Sequence, residues 1–190
     1  MKRINVLQSR ILSDLYYLLK QDIFEYFRSD GSSQIVKRIV FDRGNGAAVL
    51  LIDRARKTVI LTKQFRYPTR TDLFDGMMIE VCAGLLDEDN PEECIIREAM
   101  EETGYNIENV KKIMEIHPSP GAVTEILHLF IAEYTPETKQ TEGGGLIEEG
   151  EDIEVLELSF DKAYNMIQSG EITDAKTIIL LQYAKLYLNL

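Results

Sequence analysis

Apolar residues fall into short runs separated by charged and turn-forming stretches, and the runs change character near residue 45. In the first part, "DIFEYFRSDGSSQIVKRIVF" places β-rich runs on either side of "SDGSS", with Gly31 free to take positive φ. Residues 1–45 therefore read as a small antiparallel β unit. A sheet of that size buries too little surface alone, so it is expected to pack on the main domain, on a second subunit, or on both. Residues 46–190 read as the main body. "AAVLLID" and "TVILTKQF" are strands separated by the charged turn "RARK", and "MMIEVC", "ILHLFIAEY" and "IEVLEL" are further strands. A helix begins near Pro91. "SFDKAYNMIQSG" is a helix with Ser159 as N-cap and Gly170 just past its end. "TDAKTIILLQYAKLYLNL" closes the chain as an amphipathic helix, and residues 135–152 form a long acidic loop. Strands mixed with helices favour an α/β or α+β sandwich.

Composition narrows the function classes. An apolar share of 45 % suits a folded globular chain, and no apolar run approaches the roughly 20 residues of a membrane helix. The N-terminus has basic residues but no apolar core of a secretory leader. Two cysteines, Cys82 and Cys94, make no disulfide framework, and His117 and His128 stand apart from both, so no zinc pattern arises. The expected compartment is the cytoplasm. A net charge of −11 argues against a nucleic-acid polymer as partner, while leaving room for a small anion bound through a metal and a few arginines.

The chemistry concentrates in "DNPEECIIREAMEETGY". Asn90 suits an N-cap, Pro91 the first helical position, Glu93 the capping-box position, and Gly104 the left-handed residue past the end. The spacing predicts a helix over 91–103. At about 100° per residue, Glu102 lies about 40° to one side of Glu98 and Glu101 about 60° to the other. Ile95, Ile96, Ala99 and Met100 cover the opposite, inward sector. Arg97 precedes Glu101 by four positions and relieves that acid, whereas Glu98 and Glu102 find no basic partner at helical spacing. An acidic helix face is ordinarily solvated. The alternative is a site for Mg²⁺ or Mn²⁺, hard cations that take oxygen ligands from carboxylates one turn apart.

At these residues the chain resembles the Nudix hydrolases, whose box reads Gly-x5-Glu-x7-Arg-Glu-U-x-Glu-Glu-x-Gly-U, with U apolar. "REAMEETG" matches its distal half residue for residue and follows "VCAGLLD". The interval from Gly84 to Glu98 is one residue shorter than the box. The first box glutamate has no counterpart, with Asn90 or Asp89 nearby, and Tyr105 replaces the final aliphatic residue. "RILSDLYY", "FDRGNGA", "QFR", "SPGAVTE", "GGG", "EDIEVLEL" and "GEITDAKT" extend the similarity to the branch of bacterial GDP-mannose pyrophosphatases. The resemblance implies an α+β chain: a Nudix α/β/α sandwich (46–190) with an N-terminal antiparallel β unit (1–45) that helps form a homodimer.

It also implies Mg²⁺-dependent hydrolysis of the pyrophosphate bond of a nucleoside diphosphate sugar, GDP-mannose first. ADP-ribose is the alternative substrate, because Pro120 lies sixteen residues beyond Gly104, a position where proline accompanies ADP-ribose hydrolysis in this superfamily. A non-catalytic nucleotide-sugar sensor of the same fold is the other alternative. Carried over residue by residue, the metal ligands are the Ala83 carbonyl, Glu98, Glu102 and Glu151. Gly84 is expected to let the backbone turn tightly beside the helix. Glu151 is ligand, general base or both, drawn from an acidic loop that also offers Glu148 and Glu149. Glu101 ligates as well or pairs with Arg97. Substrate contacts fall to Tyr16, Lys37, Arg38, Ile39, Arg66, Ala83, Gly84, Leu85, Glu125, Gly150, Glu151 and Lys176. Tyr16 either stacks on a base or is a buried aromatic, Glu80 is a supporting residue or merely part of a strand, and Gly143–Gly145 allow the loop to close over substrate.

Overall fold

The computed structural model describes residues 3–86 and 90–190, so Asp89 lies outside the described residues. The chain forms two compact units: Met1–Asn45 with His117–Ile126, and Gly46–Ile116 with Leu127–Leu190.

The first unit is a three-stranded antiparallel sheet of β1 (Ile4–Asp14), β2 (Leu18–Phe27) and β3 (Ser33–Asp42), in that order. The hairpin between β2 and β3 turns at Gly31, φ +86°. Strand β1 escapes the sequence pattern because register shifts after Val6 and Ile11 break its alternation. The segment 117–126 joins through Phe41, whose N–H donates to the Ala122 carbonyl (2.8 Å) while its carbonyl accepts from Thr124 N (3.1 Å). Pro120 stands in a turn closed by Val123 N donating to the Ser119 carbonyl (3.0 Å). Val6, Leu7, Ile11, Ile35 and Ile39 are all exposed.

The second unit carries a seven-stranded mixed sheet. Its path runs β10 (Glu154–Ser159), β5 (Thr58–Phe65), β4 (Gly46–Asp53), β9 (Leu127–Glu133), β8 (Lys111–Ile116). Strand β6 (Met77–Glu80) pairs with β5, and β7 (Cys82–Leu85) with β4. Only the β4–β9 pairing is parallel among these. All eight residues of β4 are buried, because helices cover both faces. Ala48, Leu50 and Ile52 pack in one core with α2 (Phe160–Ser169) and α3 (Ala175–Tyr187). Ala47, Val49 and Leu51 face the other way, into a core with Ile95 and Ala99 of α1 (Pro91–Glu98) and its extension. This is the α/β/α sandwich.

The local signals place the helices where the sequence predicts them. Asn90 Oδ1 accepts from Glu92 N and Glu93 N, both at 3.0 Å, Ser159 Oγ accepts from Lys162 N, and Gly170 takes φ +81°. Helix α3 is less amphipathic than expected: Leu180, Leu181 and Ala184 are buried, yet Leu186 and Tyr187 are exposed. No helix of the described residues is long and apolar enough to cross a membrane.

Candidate active site

Strand β7 and helix α1 meet at Gly84. A Cβ built on Gly84 would stand 2.2 Å from Cδ of Glu98, so only glycine leaves room for that carboxylate. Gly84 has no positive φ and pairs in β7 with Ala47. The expectation of a tight turn at Gly84 is thus corrected: the residue is needed for close approach, not for its backbone angles. Arg97 Nη1 lies 3.1 Å from Glu98 Oε1 and 3.1 Å from Glu101 Oε2. Glu98 therefore has the basic partner that helical spacing denies it, because a long guanidinium folds back across its sequence neighbour.

Past Glu98 the helix widens into a π turn, Ala99–Thr103, in which Thr103 Oγ1 donates to the Ala99 carbonyl. The wheel expected Glu102 on an outer acidic face. Instead it is 1 % exposed, because it lies about 20° around the wheel from Ile95, itself fully buried, and packs against β7. Its Oε2 accepts from Ala83 N at 3.3 Å, and the Cys82 thiol also donates to it. In an extended strand the N–H and C=O of one residue point to the same side, so the Ala83 carbonyl shares the Glu102 side of β7.

Burial raises both helix acids, and neighbouring carboxylates add to it. Burial pushes Glu98 up to about 7, opposed by Arg97 and reinforced by Glu101 and Glu151. Burial pushes Glu102 up to about 8, opposed by the Cys82 hydrogen bond and reinforced by Glu98 and Glu151. Among the described residues no three His, Cys, Asp or Glu side chains already converge as a metal-holding group. The donors are nonetheless all hard oxygens, short of positive charge, and stand against a glycine wall. That chemistry fits a divalent hard cation.

Glu151 comes from the acidic loop. Its Oε2 accepts from Leu146 N at 2.9 Å, and a Cβ on Gly145 would stand 2.4 Å from the same oxygen. Gly143–Gly145, read in the sequence as freedom for closure, lie against the end of the helix. Gly144 N donates to the Glu102 carbonyl (2.9 Å) and Gly145 N to the Glu101 carbonyl (3.0 Å). The glycines satisfy carbonyls that the helix end leaves open, and their positive φ angles make that approach feasible.

Arg66, at the end of β5, and Lys176, in the first turn of α3, both bind Glu80. Burial alone would raise the Glu80 carboxyl, but Lys176 and Arg66 hold it below its usual value. The charge of Arg66 also reaches Glu102 and opposes part of the rise that burial causes there.

The predicted substrate residues divide between the units. Arg66, Ala83, Gly84, Leu85, Gly150, Glu151 and Lys176 belong to the second; Tyr16, Lys37, Arg38, Ile39 and Glu125 belong to the first. Tyr16 is 87 % exposed and rests edge-on against Tyr17, so the buried-aromatic reading fails. Lys37 and Ile39 share one face of β3, and Arg38 lies on the other by alternation. Leu85 contributes its carbonyl, which accepts from Cys94 Sγ at 3.3 Å. Gly150, φ +78°, ends the short turn Ile147–Glu149. A cavity of about 530 Å³ lined by Ile52, Arg54, Asn106, Lys111 and Glu133 contains none of these residues. Sequence reasoning missed the thiol of Cys82, which acts on Glu102 far along the chain, and Asp174, whose N-cap bonds to Thr177 are a local signal at the start of α3.

The NUDIX domain family matches residues 42–179. The chain belongs to the Nudix family. The GDP-mannose pyrophosphatase NudK N-terminal domain matches residues 3–41 of this Nudix protein. It is 51 % identical over 181 residues to the GDP-mannose pyrophosphatase of Klebsiella pneumoniae, covering 95 % of this chain and 90 % of that one. It is 50 % identical over 181 residues to the GDP-mannose pyrophosphatase of Salmonella typhimurium, with 95 % and 94 % covered. A crystal structure described as an ADP compounds hydrolase superposes with a TM-score of 0.74 at 16 % identity, covering 100 % of this chain and 96 % of that one. That likeness concerns the Nudix fold alone. Nudix hydrolases generally use divalent metal ions.

Proposed function

We propose that this chain hydrolyses the pyrophosphate bond of a nucleoside diphosphate sugar, with GDP-mannose the preferred substrate and GMP and mannose 1-phosphate the products. The observation that carries the reading is the pair of helix acids Glu98 and Glu102, both raised first by burial and further by the charge of Glu151, beside the Gly84 wall. The curated relatives at about half identity support the choice of sugar nucleotide.

Glu98, Glu102 and the Ala83 carbonyl are the proposed ligands of Mg²⁺, with Mn²⁺ as substitute. The bound ion supplies charge neutralisation at the bridging diphosphate and a lowered pKa for the attacking water. Glu151, held through Leu146 N, leaves one carboxylate oxygen to ligate or to take that water's proton. Arg97 ties Glu101 and Glu98 to one guanidinium, which fixes the acidic face of the helix. Arg66 and Lys176 are the proposed phosphate contacts, and Tyr16, Lys37, Arg38, Ile39 and Glu125 are further proposed substrate contacts. Residues 1–45 act as a dimerisation unit and 46–190 as the hydrolase domain, in a cytoplasmic homodimer.

Pro120 favours ADP-ribose as the second substrate. The test is turnover of GDP-mannose, ADP-ribose and other nucleotide sugars with Mg²⁺ and with chelator. Release of GMP and mannose 1-phosphate that requires Mg²⁺ and is abolished in Glu102→Gln supports the proposal. Binding of GDP-mannose without products, in wild type and Glu102→Gln alike, supports the sensor reading instead.

A further inference from the structure

Glu80 ends β6, one residue before the chain passes from pairing with β5 to pairing with β4. It is 3 % exposed. A carboxylate that deep is costly unless every lone pair finds a partner. Oε1 accepts from Arg66 Nε at 2.9 Å, and Oε2 accepts from Arg66 Nη2 at 3.2 Å and from Lys176 Nζ. Lys176 Nζ also donates to Asp174 Oδ1 at 3.0 Å. The other oxygen of Asp174 accepts from Thr177 N (2.9 Å) and Thr177 Oγ1 (2.6 Å), and Thr177 Oγ1 accepts from Val81 N (2.8 Å). Since Val81 follows Glu80, these bonds close a ring that fixes the first turn of α3 against the β6–β7 junction.

The ring leaves donors over. Glu80 takes the Nε and Nη2 edge of Arg66, so Nη1 has no hydrogen bond among the described residues, and the side chain is 40 % exposed. Lys176 has three N–H donors and two acceptors, Glu80 and Asp174. A buried ion pair of this kind adds little stability over apolar packing. Its distinctive product is orientation: two cations held side by side, each with a free N–H, one of them within electrostatic reach of Glu102.

We propose that Glu80 is a positioning residue that touches no substrate itself but seats Arg66 and Lys176 as a rigid pair of cations for the diphosphate of the nucleotide sugar. The proposal rests on the pyrophosphatase reading above. Contacts made alike to bound substrate and transition state appear in KM and leave kcat unchanged. Glu80→Gln keeps the shape but removes the charge that holds both cations.

In Glu80→Gln, KM for GDP-mannose rises about tenfold or more while kcat and the Mg²⁺ concentration for half activation stay within about twofold. The Kd for GDP-mannose by calorimetry, with Ca²⁺ in place of Mg²⁺, rises in parallel. A KM and Kd unchanged from wild type, or a fall in kcat together with a shifted Mg²⁺ requirement, overturns the proposal. A second measurement is independent of how Glu80→Gln folds. Arg66→Ala empties the guanidinium seat but keeps Glu80, so added guanidinium chloride lowers its KM toward wild type, whereas added sodium chloride does not. Absence of that rescue overturns the proposal as well. Wild-type protein that neither turns over nor binds GDP-mannose or ADP-ribose defeats the pyrophosphatase reading and this inference together. An active wild type with an indifferent Glu80→Gln defeats this inference alone.

Discussion

The carboxylate of Glu98 fills the space that any side chain on Gly84 would need, with 2.2 Å between the built Cβ and Glu98 Cδ. The backbone at Gly84 has no positive φ, so the strain of an alanine there comes from side-chain contact, with Glu98 nearest. Gly84→Ala is expected to fold normally and to lose about a hundredfold in kcat/KM, the scale of a misplacement of about 1 Å at a reacting centre. Steady-state kinetics set beside a urea denaturation curve checks both halves.

Glu98 and Glu102 set a pH dependence in the metal-free protein. Their folded values, about 7 and about 8, stand above the ordinary 4.5. The folded state therefore holds more protons than the unfolded one between these values. The associated stability is complete below the unfolded value and is lost as pH rises through the folded ones. In chelator, the urea midpoint is expected to fall from about pH 4.5 to about pH 8, most steeply below about pH 7 where both acids hold a proton only in the folded state. The double variant Glu98→Gln/Glu102→Gln flattens that fall. Added Mg²⁺ reverses it in wild type only, because an ion that binds the folded state stabilises it by mass action.

Gly104 predicts a purely structural loss. It holds φ +78°, and a Cβ there would stand 2.1 Å from the Thr141 carbonyl. Gly104→Ala adds an unfavourable backbone angle to a clash with main chain that cannot swing away. Destabilisation of about 2 kcal/mol or more is expected, measured by chemical denaturation.

Ile35 and Ile39 share a face of β3 with Lys37, at 59 % and 52 % exposure. Exposed apolar residues in that density mark an interaction surface. Under the homodimer proposal, wild type sediments as a dimer and Ile35→Lys/Ile39→Lys as a monomer with unchanged circular dichroism. A wild-type monomer would refute it.

What the sequence revealed were features governed by near neighbours. Asn90, Ser159, Gly104 and Gly170 delimit helices through bonds spanning a few residues, and the uninterrupted apolar run of β4 announces cover on both faces. Strand β8 was missed because its "KKIMEI" is charged, lies at the edge of the sheet, and carries a register shift between Lys112 and Met114. "MMIEVC" reads as one strand but breaks at Val81, where the pairing partner changes. At the site, the identity of the acids was legible and their depth was not. A helical wheel does not show that β7 packs over Glu102 and buries it, and the union of Arg66, Glu80, Asp174 and Lys176 spans more than a hundred positions.

The glycines against the helix end bear on how the loop acid is held. Gly144 and Gly145 hang from the carbonyls of Glu102 and Glu101, and Ile153 N returns to the Gly144 carbonyl at 3.1 Å. What remains between these moorings is a short clasp, fastened again by Glu151 N to the Leu146 carbonyl at 3.2 Å. Glu151 is thereby mounted on the same post as Glu101 and Glu102, so a change at the end of that helix is passed along the clasp to the loop acid.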